Sequence, residues 1–157
     1  MYQGLLHTHN LLRWVILIFL LLSIFRQMTA GNDPFGKRDK AFGLPLLIAA
    51  HLTLLIGLYQ WFAGGYGLNL IQAKGFGEVM KNSADRFWAV EHMAGMLIAV
   101  ILITVAYGQR KSKHTARVQH KRAMIFYVLA LIIILAVVPW PFREGIARPW
   151  FPGMPVQ

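Results

Sequence analysis

Four long apolar runs dominate this chain, at about residues 5–25, 44–62, 87–107 and 123–138. They approach or reach the roughly 20 residues that a helix needs to cross a hydrocarbon core. Lipid offers a backbone amide no partner, so a crossing segment must satisfy its own hydrogen bonds, and a helix does so within one segment. The expected fold is therefore all-α, an integral membrane four-helix bundle forming one domain over residues 1–157. Composition agrees: 57% of the residues are hydrophobic and 14% charged, with a mean hydropathy of +0.50, too apolar for a soluble domain. Pro45 is expected in the first turn of the second span, where a missing N–H costs little, and Pro139 is expected to end the fourth.

The polar connections orient the bundle. The first holds Arg26, Lys37, Arg38 and Lys40; the third holds Arg110, Lys111, Lys113, Arg117, Lys121 and Arg122. The second connection and the tail are poorer, with Lys74, Lys81, Arg86, Arg143 and Arg148. Cytoplasmic loops collect positive charge, so both termini are expected on the outer, periplasmic side of a bacterial inner membrane. The net charge of +10 is explained by these loops and does not call for nucleic acid. The first run has no basic leader and is too long for the core of a signal peptide, so it is expected to stay as an anchor. The glycine-rich second connection reads as a short interfacial cap, and Trp61, Trp88 and Trp140 as an outer aromatic belt.

Cysteine is absent, which excludes disulfides, thiolate metal sites and covalent c-type haem. No nucleophile elbow, phosphate-binding glycine loop or pair of carboxylates points to hydrolysis or group transfer. What the spans do contain is a set of ionisable residues, costly in lipid and functional candidates for that reason. They are His7, His9 and Arg13 on the first span, His51 on the second, Glu91 and His92 on the third, and His120 at the start of the fourth.

Depth separates them. His9 lies 17 positions from Arg26, and His92 lies 18 from Arg110. At about 1.5 Å per residue, both stand about 25 to 27 Å from the cytoplasmic surface. His51 comes out at about 16 Å by the same rule, and His120 at the inner surface. Two imidazoles at one depth on different helices suit the axial positions of a non-covalent haem b, held in a bundle core. If the helices run in order around the bundle, the first and third are diagonal and clamp a flat macrocycle between them. Gly57 and Gly95 would leave room for a porphyrin face or serve plain helix packing.

The remaining groups have expected roles around that pair. Arg13 is one turn below His9 and needs an anionic partner, either Glu91 or a haem propionate; Arg86 is a second propionate candidate. His7 is turned about 200° from His9, which makes it the fallback ligand or an interfacial side chain. His51 reads as a buried polar lock, a proton-relay group or a second-site ligand. His114 and His120 read as members of a solvated basic loop.

Three stretches, LLHTHNLLRW, FWAVEHMAGM and VVPWPFREGIARPWF, resemble small bacterial four-span proteins labelled cytochrome B, distantly similar in plan to the b561-type membrane cytochromes. The resemblance touches the first, third and fourth spans and the tail. It implies roles for His9, Arg13, Trp14, Glu91 and His92, with Trp140, Arg143 and Arg148 in the tail. A b561-type plan has two histidine pairs for two haems, whereas here a depth-matched inner pair is missing. The leading expectation is one bis-histidine haem exchanging electrons with a membrane quinol or a redox partner. The alternative is a cofactor-free accessory or assembly subunit of a larger membrane complex. Copper handling through His92, Met93 and Met96 is a third reading.

Overall fold

The computed structural model describes residues 2–154, whose regular structure is entirely helical. In chain order these are α1 (Tyr2–Thr29), α2 (Lys37–Ala63), α3 (Leu68–Lys74), α4 (Phe76–Lys81), α5 (Ser83–Arg86), α6 (His92–Gly108) and α7 (Ala116–Val137). A π-helical turn, Phe87–Glu91, joins α5 to α6, and a 3-10 turn, Gln109–Lys111, follows α6. Four segments are long and apolar enough to cross a membrane: Tyr2–Thr29, Lys37–Lys74, Ser83–Lys111 and Ala116–Val137.

α2 extends ahead of its apolar run because a polar end residue finds a partner. The Asp39 carboxylate accepts from the Gly36 N–H at 2.9 Å, which caps α2 and starts it at Lys37. Pro45 therefore lies inside α2 and not in its first turn, a correction to the expectation from the apolar run alone.

α1 packs along α2 and α7, and α6 packs along α7 and α2, so the long helices follow one another around the bundle with α1 and α6 on a diagonal. The core joins Leu20, Leu46, Ile103, Tyr127 and Ile134 to Ala49, Ala50, Ala99, Ala106, Ala123 and Ala130. Such small residues let helix backbones approach, and this matters in lipid, where helix association rests on close packing and hydrogen bonds. A Cβ on Gly95 would stand 2.6 Å from a Val137 methyl, so α6 and α7 require glycine there. Leu21, Leu55, Ile101 and Ile132 point outward and form the apolar surface expected beside acyl chains.

The end carrying the two basic connections holds a buried polar network. Asp39 is 3% exposed, and its Oδ1 is 3.3 Å from Arg26 Nε and accepts from Gln27 Nε2 at 3.3 Å. His120 is 2% exposed. Its Nδ1 faces Gln27 Oε1 at 2.6 Å, its Nε2 faces the Asp33 carbonyl at 2.9 Å, and its ring stacks on Phe35 at 4.7 Å. His120 is thus a core residue tying α7 to α1 and the first connection, not part of a solvated loop. His114 does stay exposed, 2.5 Å from Arg122.

The opposite, terminal end carries the start of α1, the short helices α3 to α5 and a non-helical strap over residues 139–154. Among the short helices, Lys74 reaches Asp85 at 2.6 Å, while Tyr66, Phe76 and Met80 are exposed. The three tryptophans do lie at this end, but their indoles turn inward. Trp61 donates to the Ala89 carbonyl at 2.9 Å, Trp140 donates to that of Leu135 at 2.8 Å, and Trp88 packs against His92.

Candidate functional site

A cavity of about 390 Å³ opens at the terminal end of the bundle. The buried face of α1 carries Arg13, Ile16, Leu17 and Leu20, and one turn before Arg13 the same face brings His9 to the cavity. From the diagonal helix, the first residue of α6 brings His92. The two imidazoles face each other with ring centroids 6.3 Å apart and planes inclined at 62°. The residues paired by depth thus share one chamber.

His92 is placed by the π-helical turn before it. The extra residue in that turn sends the His92 N–H to the Phe87 carbonyl, five positions back. A wider turn brings both the fourth and the fifth preceding residues beside a side chain, and the His92 ring lies 6.0 Å from Trp88 and 5.8 Å from Phe87. π turns of this kind recur at functional sites. His92 Nδ1 donates to the Val137 carbonyl at 2.7 Å, which fixes the ring and leaves Nε2 to act as an acceptor or metal ligand.

His9 lies against α2 at the position where α2 lacks a side chain. A Cβ on Gly57 would come within 3.2 Å of His9 Cε1. The two glycines singled out from the sequence therefore differ: Gly57 lines the cavity beneath the imidazole, whereas Gly95 serves α6–α7 packing.

Four residues lining the cavity each leave a buried polar atom unpartnered: His9 Nδ1, Asn10 Oδ1, Arg13 Nε and Gln60 Nε2. Leaving a buried polar group unpaired costs about 1–3 kcal/mol, so a chamber with several is built to receive polar atoms. Deeper in, Ile16, Met96, Val100 and Ile134 supply apolar wall. The chamber is amphiphilic, apolar toward the bundle centre and polar toward its mouth.

The other candidate residues are distributed differently from the expectation. Arg13 does not pair with Glu91. It is buried, and its Nη2 donates to the Trp150 carbonyl at 2.8 Å and to that of Pro149 at 3.3 Å. Asn10 Nδ2 donates to the same Pro149 oxygen at 3.2 Å, and Trp14 Nε1 to that of Trp150 at 2.9 Å. Trp14 also stacks on Phe151 at 5.5 Å. Three consecutive polar groups of α1 thus clamp the strap beside the cavity. Glu91 instead accepts from Arg86 Nε at 2.6 Å, and neither residue lines the chamber. Arg86 and Glu91 therefore drop out as groups facing a ligand of His9 and His92.

His7 lines the mouth with an exposed side chain. His51 is exposed on α2 and donates back to the Leu47 carbonyl at 2.8 Å, so it is neither a buried lock nor part of this site. Met93 and Met96 line the cavity beside His92, yet among the described residues no three His, Asp or Glu side chains are placed to hold a metal ion. Arg143 donates to the Ala136 and Val138 carbonyls and caps α7. Arg148, on the strap, does line the cavity.

No protein-family model, no curated protein and no solved structure matches this chain.

Proposed function

We propose that this protein is a multi-pass b-type cytochrome-like electron carrier of a bacterial inner membrane, binding one non-covalent haem b between His9 and His92. The observation that carries this reading is the 6.3 Å separation of the two imidazole centroids across a chamber between diagonal helices. Two imidazoles bonded through nitrogen to opposite sides of one metal, each bond about 2 Å long, have ring centroids about 6 Å apart. The unpartnered polar atoms, the missing side chain at Gly57 and the apolar inner wall fit the group equally. Haem would supply one-electron chemistry.

The chain's own residues prepare the site. The Val137 carbonyl holds the His92 imidazole through Nδ1 and leaves Nε2 toward the chamber without a protein partner among the described residues. Trp88 and Phe87 wall that ring against water. Arg13, Asn10 and Trp14 hold the strap over the same end of the bundle. With the basic connections in the cytoplasm, the terminal end and its chamber lie toward the outer face. An electron would then be exchanged there with a membrane quinol or a redox partner in the bilayer.

Protein purified from haem-sufficient cells should show a Soret band and the sharp reduced spectrum of bis-imidazole ligation. His9→Ala and His92→Ala should each abolish that spectrum while leaving the helical content intact. Absence of the band in the wild type, or an unchanged reduced spectrum in His92→Ala, overturns the proposal.

One observation favours the cofactor-free alternative, an accessory subunit of a larger complex. An inclined aromatic pair at 6.3 Å is also within the ordinary range for edge-to-face packing. On that reading histidine-to-glutamine variants keep stability and partner recovery, and haem is absent from the purified protein.

A further inference from the structure

Arg148 differs from the other cavity arginine. Arg13 donates to two strap carbonyls, whereas Arg148 makes no side-chain hydrogen bond or ion pair among the described residues. Its guanidinium is held by two aromatic faces, 4.8 Å from the ring centre of Trp88 and 5.5 Å from that of Tyr66. All three residues line the cavity, and Trp88 in turn packs against His92. The Arg148 backbone is also anchored, since its N–H donates to the Pro139 carbonyl at 3.1 Å.

Arg13 too lies over two rings, Trp14 at 5.2 Å and Trp140 at 5.6 Å, so aromatic walls alone do not distinguish Arg148. What distinguishes it is that Arg26, Arg86, Arg13 and Arg143 spend their donors on carboxylates or carbonyls, whereas among the described residues Arg148 spends none. Cation–π contact with two rings uses none of the five guanidinium N–H donors, which remain able to recognise a carboxylate through two parallel bonds. No Asp or Glu is among the described residues that line the chamber.

We infer that Arg148 is the anion-binding residue of the chamber and receives the carboxylate edge of the amphiphile held between His9 and His92. This rests on the haem reading, in which the carboxylates are the two propionates. It replaces Arg13 and Arg86 in that role: Arg13 is a strap clamp, and Arg86 is paired outside the cavity. It also gives the strap a function, since the residue that holds the anion arrives on the segment that α1 fastens down.

The test pairs a protein variant with a ligand variant in full-length protein reconstituted in nanodiscs. Iron protoporphyrin IX and its dimethyl ester, which lacks the carboxylate charges, are titrated by Soret absorbance into wild type, Arg148→Gln and Arg148→Lys. Wild type should prefer the free acid by about tenfold or more, the scale of one charge-assisted contact. Arg148→Gln should bring that ratio close to one through weaker binding of the acid alone, with ester affinity and the bis-imidazole spectrum unchanged. Arg148→Lys, which retains the charge, should keep a ratio between the two. Arg148→Gln retaining the wild-type ratio overturns the inference and leaves the haem reading standing. Loss of affinity for acid and ester alike also overturns it, because the residue would then be shaping the fold. A wild type that binds neither form with a bis-imidazole spectrum overturns both.

Discussion

The two glycines at the interface of site and scaffold permit a test in which stability and ligand placement move separately. Replacing Gly95 with alanine puts a methyl 2.6, 3.2 and 3.3 Å from three atoms of the Val137 side chain, closer than carbon atoms pack. Overpacking of this kind costs about 1–3 kcal/mol, against a gain of about 1 kcal/mol from helix propensity. Gly95→Ala should therefore lower stability by up to about 2 kcal/mol, read as a fall in the thermal midpoint in detergent. At Gly57 the added methyl meets one atom, His9 Cε1, at 3.2 Å, so the imidazole must yield by a few tenths of an ångström. Propensity offsets the small clash, and the midpoint of Gly57→Ala should stay within about 1 kcal/mol of wild type. If His9 is a haem ligand as proposed, affinity should fall by up to about threefold, because a shift of a few tenths of an ångström uses most of the roughly 0.5 Å tolerance of such a constellation. Gly57→Val should deepen the loss. Each variant is to be measured by thermal melting and by Soret titration. Unchanged haem affinity in both Gly57 variants, or a parallel loss of stability and affinity in Gly57→Ala, would refute the placement of His9 against α2.

Two further outcomes follow from the ends of the bundle. Asp39→Asn removes the buried carboxylate 3.3 Å from Arg26 and 3.8 Å from His120, leaving Arg26 only its contact to the exposed Asp33, and should cost about 3 kcal/mol, whereas Glu91→Gln breaks an exposed pair and should cost at most about 1 kcal/mol; comparable losses in a detergent unfolding series would refute the partition between buried and exposed pairs. Arg13→Ala removes both guanidinium contacts to the strap, worth about 1.5–3 kcal/mol, and should speed proteolytic cleavage within residues 141–154 while the four long helices remain protected. Unchanged cleavage would show that the aromatic contacts hold the strap without Arg13.

The spans and the diagonal pair were legible in the sequence because each depends on a regular quantity. Apolar length defines a crossing helix, and a rise of about 1.5 Å per residue converts sequence distance into depth. His9 and His92 could be paired by counting. The companions of that pair were not legible, because their directions depend on irregular backbone. The π turn sets Phe87 and Trp88 beside His92 while Glu91 pairs with Arg86, and no pattern in FWAVE announces that turn. The strap brings Pro149 and Trp150 back to α1 across 136 and 137 positions of chain, a long-range contact that periodicity does not encode. Had the helical start been read from Gly36 and Asp39 as a cap, Pro45 would have been placed inside α2 from the outset. His120 was misread because its neighbours Lys121 and Arg122 are exposed, although one helical turn spans both the core and the surface.

The contrast between the two ends gives these details a common physical sense. Lipid supplies little hydrophobic drive for one helix to join another, so association needs close packing and polar contacts. Alanines and glycines pack the middle of this bundle, and Arg26, Gln27, Asp39 and His120 link α1, α2 and α7 at the basic end. At the terminal end the diagonal helices carry two imidazoles that do not close the space between them, and cavity residues leave polar atoms unpaired. A strap fastened to α1 by its Pro149 and Trp150 carbonyls lies over that end and brings Arg148 to the cavity. On the proposed reading, binding and folding rest on opposite ends of one bundle. For that reason a variant at the basic end should change stability before it changes ligand affinity, and a variant of the chamber should do the reverse.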